Sequence, residues 1–132
     1  MPDGWTRSPQ GPRALGALSD GDVVLTTGPL AIDPVTQRFV GILVQNNRAR
    51  LTEVGVRLYN WDVCPKDRVV GTVIPVDPNC AAGVAFDNPG FFYEAQLVLP
   101  SLRAIRASVY ALTADFQPVA DNTLHWRELS EL

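Results

Sequence analysis

The chain has 132 residues, 46% of them hydrophobic and 19% charged, with a formal net charge of -3. That length and apolar content suit one folded domain and exclude a disordered chain. The acidic balance argues against a dedicated nucleic-acid binder, and no run approaches the roughly 20 apolar residues of a membrane helix, so neither nucleic acid nor membrane insertion is expected.

Residues 1–19 are broken by proline and glycine and show no alternation, so they read as an extended N-terminal arm rather than a helix or strand. Trp5, Leu15 and Leu18 are unusual in a solvated tail. They point to an arm that docks, either on its own domain or on a neighbour. The segment MPDGWTRSPQGPRALGALSD lacks the basic start and apolar middle of a secretory leader, so the protein is expected to be made without one.

From residue 20 onward the pattern is that of short strands. Asp22 to Ile32, carrying Val23, Val24 and Leu25, is interrupted at Gly28-Pro29 and followed by an Asp33-Pro34 turn. Phe39 to Gln45 is a continuous apolar run that suits a strand covered on both sides. Leu51 to Trp61 alternates, with Val54, Val56 and Leu58 on one face and Glu53, Arg57 and Tyr59 on the other. Val69 to Val76 and Ala82 to Phe86 follow, each closed by turn residues. Residues 91–113 hold the clearest period of two: Tyr93, Ala95, Leu97 and Leu99, then Ile105, Ala107, Val109 and Ala111. The break at Pro100 to Ala104 makes this pair read as a hairpin. Thr123 to Leu129 is expected to close a sheet with Leu124 and Trp126 inward.

About eight strands at this spacing predict an all-β protein: one antiparallel β-sandwich over residues 20–132, jelly-roll or Ig-like, behind the arm of residues 1–19.

Chemistry is sparse. His125 is the single histidine and falls on the outward phase of its strand, so a triad has no base to rely on. One histidine and two cysteines fifteen residues apart make no zinc spacing. Asp33, Asp62, Asp67, Asp77 and Asp87 all sit at breaks, where aspartate is turn chemistry before it is a calcium ligand. No catalytic residue, metal or cofactor is assigned, and no enzyme is expected. Cys64 and Cys80 are read as a disulfide within the chain, as two free thiols, or as a bridge between subunits. Arg48, Arg50, Arg57, Arg103 and Arg106 read as solvated charge. Tyr59, Trp61, Phe91, Phe92, Tyr93 and Tyr110 read mainly as core.

The stretches GILVQNN, VGVRLYNWD, AGVAFDN, FFYEAQLVLPS, IRASVYAL and HWRELSEL resemble small β-sandwich domains of endospore-forming bacteria. The overall plan is similar to that of spore-appendage fibre subunits, a sandwich body behind an N-terminal connector. The resemblance implies a non-enzymatic structural subunit at the cell or spore surface, or outside the cell, whose partners are copies of itself in a homopolymer. Those connectors carry bridging cysteines, whereas residues 1–19 carry none. Trp5, Leu15, Leu18, Val23, Val24 and Leu25 are then the expected subunit contacts, with main-chain pairing at a neighbour's sheet edge supplying affinity. The alternatives are a carbohydrate- or ligand-binding module, with Tyr59, Trp61 and Tyr93 as its aromatic strip, and a virion or tail structural protein.

Overall fold

A computed structural model of the chain describes residues 5–7, 22–33 and 35–132. The described residues form two facing β-sheets, as the alternation predicts. Eleven strands run β1 (Trp5–Arg7), β2 (Val23–Thr26), β3 (Leu30–Ala31), β4 (Phe39–Asn46), β5 (Thr52–Asn60), β6 (Asp67–Val76), β7 (Cys80–Asp87), β8 (Phe92–Leu99), β9 (Ile105–Leu112), β10 (Pro118–Leu124) and β11 (Ser130–Glu131). The strands beyond the expected eight are pieces of two or three residues, β1, β3 and β11, too short to show a period; β1 corrects the reading of the arm as neither helix nor strand, and the closing strand is β10 at Pro118–Leu124 instead of 123–129.

One sheet has the order β1-β7-β4-β9-β10 and the other β11-β2-β8-β5-β6, with β3 beside β8. All pairings are antiparallel except β1 with β7. The break at Gly28-Pro29 lies where expected, between β2 and β3, and Gly28 has the positive φ of 65° that glycine tolerates best.

The expected hairpin of residues 91–113 is not one. β8 lies in one sheet and β9 in the other. Residues 100–104 cross between the layers, with Ala104 at φ 63°. Five residues span the roughly 10 Å between packed sheets, and the two apolar faces then meet across the interior instead of side by side. Tyr93, Ala95, Leu97 and Leu99 face Ile105, Ala107 and Val109 in one core with Val40, Ile42, Val44, Val54, Val56 and Leu58, all essentially without solvent contact. At the C-terminal end, Leu124 packs against this core, but Trp126 does not turn inward. It opens a 3-10 turn, Trp126–Glu128, and lies half-buried beneath Arg106, whose guanidinium carbon stands 5.0 Å from the ring centre.

Each end of the sandwich is tied by a buried side-chain amide. Near Asp87, Gln37 Nε2 donates to the Tyr93 hydroxyl at 3.1 Å, and Asn88 Nδ2 donates to the Gln37 carbonyl at 3.1 Å. Near Cys80, Asn46 Nδ2 donates to the carbonyls of Arg50 and Val76 at 2.9 and 3.0 Å, while the Arg48 amide donates to Asn46 Oδ1 at 2.9 Å. These bonds satisfy main-chain groups that the loops leave outside the ladders.

Candidate functional site

The outer face of the β4-containing sheet is apolar where a sandwich would normally be wet. β4 sends Val40, Ile42 and Val44 into the core and Phe39, Gly41 and Leu43 outward, which explains its continuous hydrophobic run. Outward neighbours on β7 and β9 are Gly83, Ala85, Tyr110 and Leu112. Trp5 lies across this surface and is only 6% exposed.

The seat of Trp5 is shaped for an indole. A Cβ at Gly41 would stand 2.8 Å from Trp5 Cη2, and one at Gly83 would stand 2.9 Å from Trp5 Cε3. Those distances leave no room for any other residue type without displacing the ring. Leu112 and Ala85 are buried with it, and Tyr110 meets it edge-on with ring centres 5.5 Å apart. Phe39 and Phe116 extend the surface as a stacked pair, 4.9 Å between centres. Burying a tryptophan removes about 150–250 Å² from water, worth roughly 4–6 kcal/mol. The main-chain ladder of β1 covers only Trp5 to Arg7, so the indole is its anchor.

The other sheet carries a buried carboxylate on its outer face. Glu94 accepts from Lys66 Nζ at 2.8 Å, Trp61 Nε1 at 3.1 Å, Gln96 Nε2 at 3.0 Å and the Thr26 hydroxyl. Burial alone pushes its carboxyl up, but the bonds from Lys66, Thr26, Gln96 and Trp61 together outweigh burial and hold it below the usual carboxylate range. Lys66, the single lysine of the chain, also sits 4.3 Å from the Tyr59 ring centre and 4.8 Å from that of Trp61. With four donors on two oxygens, Glu94 is a fastening for the 61–66 loop and not an acid or base with capacity to spare.

The expected residues fall in several places. Trp5, expected as a subunit contact, fills the seat just described on its own chain. Leu15 and Leu18 lie outside the described residues. Val23, Val24 and Leu25 are in β2, paired with β8 and β11 of the same chain; Leu25 enters the core, while Val23 and Val24 are half-buried. Tyr93 is fully buried and points away from the face that holds Tyr59 and Trp61, so the three do not form an aromatic strip. Phe91, Phe92 and Trp61 are not core; they stand out at one end of the sandwich, held there by Asp62, whose two oxygens accept from the Phe91 and Phe92 amides at 2.8 Å each. His125 is exposed as its phase predicts. The glycine seat was invisible in the sequence because Gly41 and Gly83 are 42 positions apart and gain meaning only through the β4–β7 register.

Cys64 and Cys80 are both free and exposed. They flank β6, whose span puts them about 30 Å apart at the usual rise per residue. A disulfide needs its Cα atoms within about 7 Å, which closes off a bridge within one chain. Among the described residues, no group of three or more His, Cys, Asp or Glu is placed to hold a metal ion, and no helix is long and apolar enough to cross a membrane.

These features define an antiparallel β-sandwich with an N-terminal strand added to one sheet edge. Comparison with protein-family models, with curated proteins and with solved structures returns no match.

Proposed function

We propose that the chain is a non-enzymatic structural subunit that assembles with copies of itself by passing its N-terminal strand to a neighbour. The observation that carries this reading is the Trp5 seat: an apolar groove floored by Gly41 and Gly83 and filled by a residue distant from them in the chain. A strand of three residues with one dominant anchor is a detachable unit. Its ladder with β7 is parallel and at a sheet edge, the geometry of strand addition.

The connection permits exchange. β1 ends beside Ala85, towards one end of the sandwich, whereas β2 starts beside Leu99 at the other. Residues 8–21 join them and reach roughly 50 Å when extended. That length spans the body in one chain and equally reaches the seat of an adjoining copy. Exchange of the same contacts costs little beyond association, and a head-to-tail donation does not close on itself, so the product is a fibre. A surface or extracellular fibre is the setting such a subunit suits.

Two variants test this. A chain lacking residues 1–7 has a seat and no strand; Gly83→Leu has a strand and a blocked seat. Each alone is expected to stay monomeric by light scattering, and the two mixed are expected to give a one-to-one dimer. If they stay apart, and the wild-type chain is monomeric at high concentration with no fibres under negative stain, strand exchange is wrong.

A further inference from the structure

The outer face of the Glu94-containing sheet also carries two cations side by side. Register sets its outward side chains in rows across β8, β5 and β6. One row is Glu94, Tyr59 and Arg68; the next is Gln96, Arg57 and Gly71. Gly71 has no side chain, and the Arg68 guanidinium folds back over it. A Cβ at Gly71 would stand 3.3 Å from Arg68 Cζ, 3.4 Å from Nε and 3.5 Å from Nη1. The guanidinium therefore lies flat on that position, in the Arg57 row and beside the Arg57 side chain.

Neither arginine is neutralised. Among the described residues, Arg57 and Arg68 form no ion pair and no side-chain hydrogen bond. Arg57 Nε is also the one buried side-chain nitrogen or oxygen among them that lacks a partner. The carboxylate of the adjoining row, Glu94, is already paired with Lys66 and accepts from Trp61, Gln96 and Thr26 as well. Gln96, directly across from Arg57, turns its amide to Glu94 and not to the guanidinium. Glu53 is four residues back on β5, about 13 Å along the strand. Asp67 precedes Arg68 in the chain without pairing with it, and Glu131 is three strands away on β11. A half-buried guanidinium short of acceptors is destabilising, and a second cation beside it adds repulsion. One bound anion relieves both.

We propose that Arg57 and Arg68 form an oxyanion site that takes the sulfate or phosphate group of an ester. Guanidinium forks match such oxygens with charge-assisted hydrogen bonds. One fork is enough for the two oxygens of a carboxylate, whereas two forks suit a group with a third oxygen. Arg57 is half-buried and Arg68 exposed, so the pair opens to solvent on one side. The site is independent of strand exchange, and its failure leaves that reading untouched.

The probe is inorganic sulfate or phosphate titrated into the full-length chain against chloride at constant ionic strength. The readout is the Nε–H signal of each arginine by nitrogen-15 NMR. The Arg57 and Arg68 signals are expected to shift and saturate together, while those of Arg103 and Arg127, two exposed arginines elsewhere, stay in place. Arg57→Gln and Arg68→Gln should each weaken binding about tenfold or more, the loss of one charge-assisted bond. Arg68 is exposed, so its variant keeps the test valid where Arg57→Gln fails to fold. Arg57→Lys, which retains charge and loses the fork, should also bind more weakly. Shifts that do not saturate, that appear equally at all arginines, or that persist unchanged in the Arg68 variant overturn the site. Acetate should bind more weakly than sulfate; acetate binding as tightly overturns the choice of an ester over a carboxylate.

Discussion

Trp5 lies so close over Gly83 that a methyl group there would stand 2.9 Å from its Cε3. Gly83→Ala must therefore push the indole off the sheet or bend β7. The same holds for Gly41→Ala, where Leu112 Cδ1, at 2.7 Å, closes the remaining space. Overpacking of this kind costs about 1–3 kcal/mol. Each variant is expected to lower the urea midpoint and, in a Trp61→Phe, Trp126→Phe background, to shift Trp5 emission to the red. The control is Trp5→Ala, in which the added methyl meets no ring. There Gly83→Ala should cost little more than its effect on strand propensity, so the two changes are strongly non-additive. Additive losses would show that the glycines serve the backbone and not the indole.

Asn46 ties the Cys80 end of the sandwich by donating to the carbonyls of Arg50 in the 47–51 loop and Val76 at the end of β6, and by accepting from the Arg48 amide. It is fully buried, so water cannot replace it. Asn46→Ala is expected to destabilise the fold by about 2–3 kcal/mol, since buried groups are left unpaired. Asn46→Asp should be as costly, because the carboxylate cannot donate to Arg50 and Val76. Chemical denaturation of the three chains measures this. An Asp variant as stable as wild type would show that the carbonyls find other donors.

How much of this was legible follows from where the signals lie. Alternation is local, and it places Tyr93, Ala95, Leu97 and Leu99 on a buried face correctly. It says nothing about which sheet receives the next strand, and that is why residues 91–113 read as a hairpin when β8 and β9 face each other across the core. The double-sided burial of β4 was visible in FVGILVQ. Its cover was not, because a single tryptophan among prolines and glycines has no periodicity to report. Glu94 was detectable as an acid inside an apolar strand. Its partners Thr26, Trp61 and Lys66 come from three other segments, and no spacing rule joins them. Nothing in the spacing of Cys64 and Cys80 tells a bridge from two free thiols; Cys64 lies in the 61–66 loop, Cys80 opens β7 instead of lying in a loop, and the length of β6 between them decides against their pairing within one chain.

Replacing Glu94 by Gln keeps the shape and removes the charge. The ammonium of Lys66 then lies against two rings with no counter-ion, and one amide nitrogen faces donors. A loss of about 2–3 kcal/mol is expected. Because Glu94 fastens the 61–66 loop, the same variant should speed amide exchange at residues 61–66 more than in β4 or β9. Equal acceleration everywhere would mean that Glu94 supports the whole sheet and not the loop.

Lys66→Met separates charge from packing, since the methionine can still lie between Tyr59 and Trp61. In wild type the Glu94 carboxyl is held below the ordinary value of 4.5 that it has in the unfolded chain. The unfolded chain thus takes up this proton at higher pH than the folded one. The stability contributed by Glu94 is present above the unfolded pKa and is lost as pH falls through that value towards the folded pKa. Removing Lys66 deletes the strongest of the opposing hydrogen bonds, so burial raises the folded pKa and narrows the gap. The variant should be less stable than wild type at pH 7. Its melting temperature should fall less between pH 5 and pH 3, so that the two curves converge in acid. Other carboxylates titrate in both proteins and cancel in the difference. Parallel curves across this interval would show that the Lys66 ammonium does not set the protonation of Glu94.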